Sequence, residues 1–308
     1  MKILIIGLGY AGIRYRRAFE HIAVSTSLPL SLAYVGRRRK PTELPYFDSV
    51  SQALDEFAPE IVVVSANDHS HASVLQQLAG YQGFVICEKP LVTPQDNLTS
   101  LCAGLEQISG FALDLVERYS DASRQLREWV ERQDWKLVRA NFHWGKDRIN
   151  DYRPTCGVTS EVIHALDLLS WICPHAGEFK LHGVLGVRSD FSISGDEVLD
   201  TVQLMASLGD APVTGYSSFV NIVRQRTVDF TFVDRDARLI HARLVFDTPR
   251  WDHDQLRIWT RAANGTLEVL HEHTTEPDEP GLDTLHKLSR LCLEVVRAVA
   301  LKEPPRQA

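Results

Sequence analysis

Two short segments of this 308-residue chain carry residues whose types and spacing could do chemistry, Gly7-Leu8-Gly9-Tyr10-Ala11-Gly12 and Glu88-Lys89-Pro90. In a G-x-G-x-x-G turn between a strand and a helix, the first glycine permits the tight turn and the second admits a diphosphate close to the backbone. The third lets the helix pack on the strand, whose amide-rich N-terminus then faces the anion. The context is the required one. Leu4-Ile5-Ile6 reads as a strand buried on both faces, and Ile13 to Ile22 reads as a helix. Lys89 follows a later strand, where a nicotinamide ring could lie.

The second strand signal, Leu30 to Val35, ends at Gly36-Arg37-Arg38-Arg39-Lys40, about twenty residues past the glycines, where a ribose is read. An acidic residue there would accept bonds from a free 2′-hydroxyl. Arginine would instead pair with a 2′-phosphate. Gly36, Arg37 and Arg38 therefore predict NADP(H) in preference to NAD(H), with NAD(H) still possible. The plain alternative is a solvated basic loop.

The elements that must position these groups alternate strand and helix in the first third. Val50 to Phe57 reads as a helix, Ile61 to Ser65 as a strand, His71 to Leu78 as a helix, Phe84 to Cys87 as a strand, Pro94 to Ile108 as a helix and Phe111 to Val116 as a strand. A six-stranded dinucleotide fold is expected. Beyond a helix from Ser120 to Arg132 the pattern changes. Strand alternation starts at Lys136 to Trp144 and, after a helix at Ser160 to Ile172, resumes at His182 to Val187, Thr201 to Leu208, Val213 to Phe219, Thr227 to Val233 and Leu239 to Phe246. The expected architecture is α/β followed by α+β: a Rossmann dinucleotide-binding domain over 1–119, then a domain over 120–308 built on a mostly antiparallel open sheet. A last helix over 283–301 ends before Pro304-Pro305 and is expected to pack back on the first domain.

Composition narrows the function classes. With 33 basic and 40 acidic side chains the net charge is −7, which disfavours non-specific nucleic-acid or anionic-membrane binding. No apolar run has the length of a bilayer span, and no cleavable leader follows the first strand, so a cytoplasmic location is expected. Five scattered cysteines without a C-x-x-C pair suggest free thiols.

Taken together, Gly7 to Gly12, Ser65-Ala66-Asn67 with His71, Glu88-Lys89-Pro90, and His164 with Asp167 resemble the Gfo/Idh/MocA oxidoreductases, the glucose-fructose oxidoreductase and inositol dehydrogenase superfamily. The resemblance implies that Glu88, Lys89 and Pro90 sit over the nicotinamide, that the bond before Pro90 is cis, and that Lys89 orients or protonates the reacting oxygen. It also implies that Ala66, Asn67 and His71 form the loop beneath the nicotinamide ribose. A homodimer or homotetramer formed through the open sheet is a further implication.

On the later helix, Glu161, His164 and Asp167 share one face at a spacing of three. The family's usual pattern has an aspartate four residues before the histidine. Here Ser160 stands in that place, so either Glu161 reaches the site or His164 works without a carboxylate. Ser160, Glu161 and Asp167 are thus candidate substrate contacts, with Arg153 for an anionic or hydroxyl-rich group and Trp144 for stacking on a sugar ring. The alternatives are a buried, hydrogen-bonded histidine, a solvated Glu161 and a core tryptophan. Trp251-Asp252-His253-Asp254 and His271-Glu272-His273 read as polar turns, and no metal is expected.

The expected chemistry is hydride transfer between NADP(H) and a secondary alcohol or ketone of a small polyhydroxylated substrate, with Lys89 and His164 managing the proton. Reduction of a C=N or other unsaturated bond is the enzymatic alternative. A non-catalytic NADP(H)-sensing regulator is the alternative from another class.

Overall fold

Ile3, Leu4, Ile5 and Ile6 are almost fully shielded, as suits a strand with covered faces on both sides. In a computed structural model, which describes residues 1–149, 155–189, 198–248, 250–275 and 285–301, they form β1 (Lys2–Ile6) at the centre of a parallel sheet. Its neighbours are β2 (Ser31–Val35) and β4 (Ile61–Val64). With β3 (Tyr46–Phe47), β5 (Phe84–Cys87) and β6 (Gly110–Leu113) the order is β3-β2-β1-β4-β5-β6. Strand order reverses between β1 and β4, which places a crevice at the carboxyl ends of these strands.

The crossover helices are α1 (Tyr10–Thr26), α2 (Val50–Phe57), α3 (His71–Gln77) and α4 (Leu98–Leu105). Ser49 caps α2 by accepting from the Gln52 amide, and Asn97 caps α4 by accepting from Ser100. Helix α4 is shorter at both ends than the apolar periodicity suggests, because Pro94, Gln95 and Asp96 form a turn in which the Asp96 carboxylate accepts from the Thr93 amide and hydroxyl. The sixth strand, β3, is two residues long.

The chain divides into two compact units between Asp114 and Leu115, and α7 (His286–Leu301) groups with the first unit from Lys287 onward. The second unit holds an eight-stranded sheet, β14-β13-β12-β11-β7-β10-β9-β8, built from β7 (Lys136–Asp147), β8 (Phe179–Val187), β9 (Thr201–Leu208), β10 (Ala211–Ser218), β11 (Val220–Val233), β12 (Leu239–Val245), β13 (Asp254–Arg261) and β14 (Leu267–Thr275). All its pairings are antiparallel except β7 with β10.

Helices α5 (Asp121–Gln133) and α6 (Thr159–Ile172) pack on this sheet around Leu126, Phe142, Leu168, Phe230 and Phe232. Elsewhere on it Leu181, Val184, Leu185 and Met205 stay exposed. Of the segments expected as polar turns, Trp251 and Asp252 do form a turn, which runs into β13 at Asp254, whereas His271, Glu272 and His273 lie in β14. Among the described residues no group of His, Cys, Asp and Glu side chains is arranged to hold a metal ion. None of the described helices is long and apolar enough to cross a membrane.

Candidate functional site

The glycine turn has the shape its spacing predicts. Gly7 adopts φ +98°, and a β-carbon on it would stand 2.7 Å from the Ala66 amide nitrogen. A β-carbon on Gly12 would stand 2.2 Å from the Gly7 carbonyl oxygen, so helix and turn meet only because that position is bare. Gly9 differs, for a β-carbon there would meet nothing within 4 Å. Open space thus faces the backbone where α1 begins. No side chain caps that helix and its first turn contains no acid, so the N-terminal dipole is left to a ligand. Leu8 is buried, while Tyr10 is exposed. A diphosphate fits this cradle of bare backbone beside an uncapped helix end.

At the end of β2, the Tyr34 hydroxyl accepts from the Lys40 amide at 2.6 Å and Tyr46 donates to the Gly36 carbonyl at 3.1 Å. The loop is pinned from beneath, and Arg37 and Arg38 stay exposed.

The turn after β5 carries Lys89. The Lys89–Pro90 bond is cis, as the resemblance implied, and the Glu88 amide donates to the Val64 carbonyl at 2.8 Å. His71 holds this turn to the one after β4: its Nδ1 lies 2.7 Å from the Pro90 carbonyl oxygen and its Nε2 3.2 Å from that of Ala66. His71, which the resemblance places in the loop beneath the nicotinamide ribose, is only 1 % exposed, has both ring nitrogens against backbone carbonyls and ties the two loops together. The Asn67 side-chain oxygen accepts from the Ser70 hydroxyl at 3.0 Å.

Beneath the Lys89 turn lies a cluster that no sequence motif marks. Asp114 accepts from the Tyr15 hydroxyl at 2.7 Å, and its other carboxylate oxygen has no hydrogen-bond partner. Burial, then the nearby Glu88 charge, pushes Asp114 well above the usual carboxylate range. Burial also raises Glu88, while Lys89 and Arg14 pull it down. Burial and Asp114 raise Tyr15 as well.

In the second unit, α6 presents the polar stripe, but its members have separate partners. The Asp167 carboxylate is gripped by Arg118 through Nε at 2.8 Å and Nη2 at 2.5 Å. Ser160 donates to the Gly157 carbonyl at 2.9 Å, and so serves the start of the helix. Glu161 is 2 % exposed and pairs with Lys146 at 2.6 Å and Arg226 at 3.2 Å. The expectation that Glu161 reaches a substrate meets a buried ion-pair network: Arg226 also bonds Asp247 at 2.6 Å and Glu117 at 3.4 Å. Burial works against the Arg226 charge, yet these carboxylates keep its guanidinium firmly protonated.

Trp144 is likewise corrected. It is 1 % exposed, with His164 stacked against it and the Arg226 guanidinium 5.0 Å from its ring centroid, so it offers no free face to a sugar. Arg153 lies outside the described residues.

Comparison with known proteins agrees with this geometry. Residues 1–109 match the family model GFO_IDH_MocA, described as an oxidoreductase family with an NAD-binding Rossmann fold. The chain is 30 % identical over 131 residues to inositol 2-dehydrogenase of Leifsonia xyli, covering 41 % of this chain and 38 % of that protein. With inositol 2-dehydrogenase of Salmonella typhimurium it shares 21 % over 184 residues, 56 % of this chain and 54 % of that protein. The chain therefore spans about half, or less, of the length of the curated relatives it matches. A levoglucosan dehydrogenase solved in complex with NADH superposes with TM-score 0.78 at 13 % identity, covering 100 % of this chain and 92 % of that one, which is a likeness of fold. The glycine cradle and the strand order around it agree with that match, which makes residues 1–109 similar to the Gfo/Idh/MocA oxidoreductases with their NAD-binding Rossmann fold.

Proposed function

We propose that the protein is an NADP(H)-dependent oxidoreductase acting on a secondary alcohol or the matching ketone of a small sugar-like or cyclitol-like molecule. The observation that carries the reading lies within the first unit. The open backbone at Gly9 follows β1, the loop Ala66-Asn67 follows β4 and the Lys89 turn follows β5, all at the carboxyl edge of one parallel sheet where its strand order reverses. NADP(H) supplies the hydride when bound. Arg37 and Arg38, exposed after β2, would pair with the 2′-phosphate, and no acid at that turn competes for the ribose.

In the reductive direction, Lys89 would donate a proton to the oxygen as the carbonyl carbon gains hydride, and His164 would hold or relay that proton. Asp167, oriented by Arg118, would accept from a neighbouring substrate hydroxyl. The names of the inositol and levoglucosan dehydrogenases support a polyol-type substrate. Exposed apolar residues of the second sheet support self-association as a homodimer or homotetramer, the acidic net charge disfavours nucleic-acid or anionic-membrane partners, and a cytoplasmic location completes the reading.

The test is NADPH oxidation, and NADP+ reduction, across a panel of keto-sugars, cyclitols and imines with the wild-type chain and Lys89→Ala. Turnover of a polyol or its ketone, with kcat reduced about a hundredfold or more by Lys89→Ala while NADPH binding is retained, is expected. Turnover of imines alone would favour the C=N reading, which the absence of a carboxylate at Ser160 supports. Tight NADPH binding with no turnover would favour a sensor.

A further inference from the structure

Ser160 stands where the resemblance calls for a carboxylate near His164, and its hydroxyl donates to the Gly157 carbonyl. The second unit also packs an indole face against the imidazole. The rings of Trp144 and His164 lie 5.8 Å apart between centroids with planes 21° apart, an offset stack between side chains 1 % and 5 % exposed.

The indole is itself held on every side. Phe246 tilts against it at 5.6 Å, the Ser217 hydroxyl donates to its backbone carbonyl at 2.9 Å, and the Arg226 guanidinium stands 5.0 Å from its ring. Arg226 bonds Asp247, Glu117 and Glu161. Glu161 lies on α6 one turn before His164, so the contacts close a circuit from imidazole to indole, guanidinium, carboxylate and back along one helix.

We propose that Trp144 is a positioning residue that fixes the ring plane of His164 through this stack, with Arg226 as the clamp that seats the indole. The inference rests on the reading of His164 as a proton-handling group. A carboxylate would both orient an imidazole and stabilise its charged form. A stacked ring orients the plane and leaves the edge nitrogens to other partners, so the device depends on aromatic shape. Another aromatic residue should support it, whereas an aliphatic one should not.

The experiment compares the full-length wild type with Trp144→Phe, Trp144→Leu and His164→Asn. One readout is the nuclear magnetic resonance signal of the His164 ring protons, assigned by its loss in His164→Asn. The other is steady-state turnover of whichever panel compound the wild type consumes. The expected result is an upfield ring-current shift of the His164 protons, kept in part by Trp144→Phe and lost in Trp144→Leu. The leucine variant should lose roughly a hundredfold in kcat with the NADPH Michaelis constant unchanged, the phenylalanine variant only a few-fold. If Trp144→Leu does not fold, the residual shift and small kcat loss of Trp144→Phe carry the test. An unshifted wild-type signal overturns the inference, as does wild-type turnover in Trp144→Leu alongside inactive His164→Asn. Full turnover in His164→Asn overturns the reading of His164 and the positioning role with it.

Discussion

Arg118 binds Asp167 with two nitrogens, Nε and Nη2 at 2.8 and 2.5 Å, and so sets the carboxylate plane of a residue two turns from the start of α6. Both side chains are partly exposed, which makes the pair a means of presenting a carboxylate more than a source of stability. Arg118→Lys keeps the charge but loses the planar fork. We expect substrate KM to rise about tenfold in Arg118→Lys and in Asp167→Asn, at unchanged NADPH affinity and with a stability loss of about 1 kcal/mol. Equal effects on NADPH and substrate would refute the assignment.

Two glycines of the first turn, Gly9 and Gly12, should respond differently to alanine. Gly9→Ala adds a methyl into open space at a backbone of φ −92°, so the cofactor-free protein should melt as the wild type does while NADPH affinity falls more than about tenfold. Gly12→Ala drives a methyl into the Gly7 carbonyl and should cost about 1–3 kcal/mol in the free protein as well. Thermal melts with and without NADPH separate the two. A destabilised cofactor-free Gly9→Ala protein would speak against an open phosphate cradle.

Removing Arg37 and Arg38 together should weaken NADPH at least about tenfold and leave NADH nearly unchanged. The ratio of the two Michaelis constants is the measurement. A parallel loss for both cofactors would assign the basic run to general steering.

Asp114 predicts a pH signature with a definite sign. Its folded-state pKa is raised by burial and by Glu88 above the ordinary 3.8, so between those two values the folded protein keeps a proton that the unfolded chain has released. Stability must fall as pH rises through that window. Asp114→Asn mimics the protonated acid and removes this dependence, so its melting temperature should gain on the wild type as pH increases from about 4 upward. A constant difference across that range would mean an ionised Asp114.

Much of the first unit was legible because its signals are local. The apolar tetrad Phe84–Cys87 and the Ser49-capped helix Val50–Phe57 form where the sequence places them. β13 was hidden because it opens with Asp254, a polar residue that is wholly buried and accepts from the Asp247 amide at 3.0 Å. The site was harder to read, since its pairings span the chain. Tyr15 and Asp114 are 99 residues apart, and nothing in Phe111-Ala112-Leu113-Asp114-Leu115 distinguishes that acid until β6 sets it beside α1. On its own helix Glu161 reads as either a solvated or a cleft residue; its true neighbours, Lys146 and Arg226, come from β7 and β11.

The brevity of β3 has a colloidal consequence. An outermost strand normally offers a row of unsatisfied amides and carbonyls to which a foreign chain adds itself. Tyr46–Phe47 offers two residues' worth, flanked by Pro45 and Asp48. That border of the first sheet is too short to template fibril-like growth, and the first unit carries its own safeguard against clumping there.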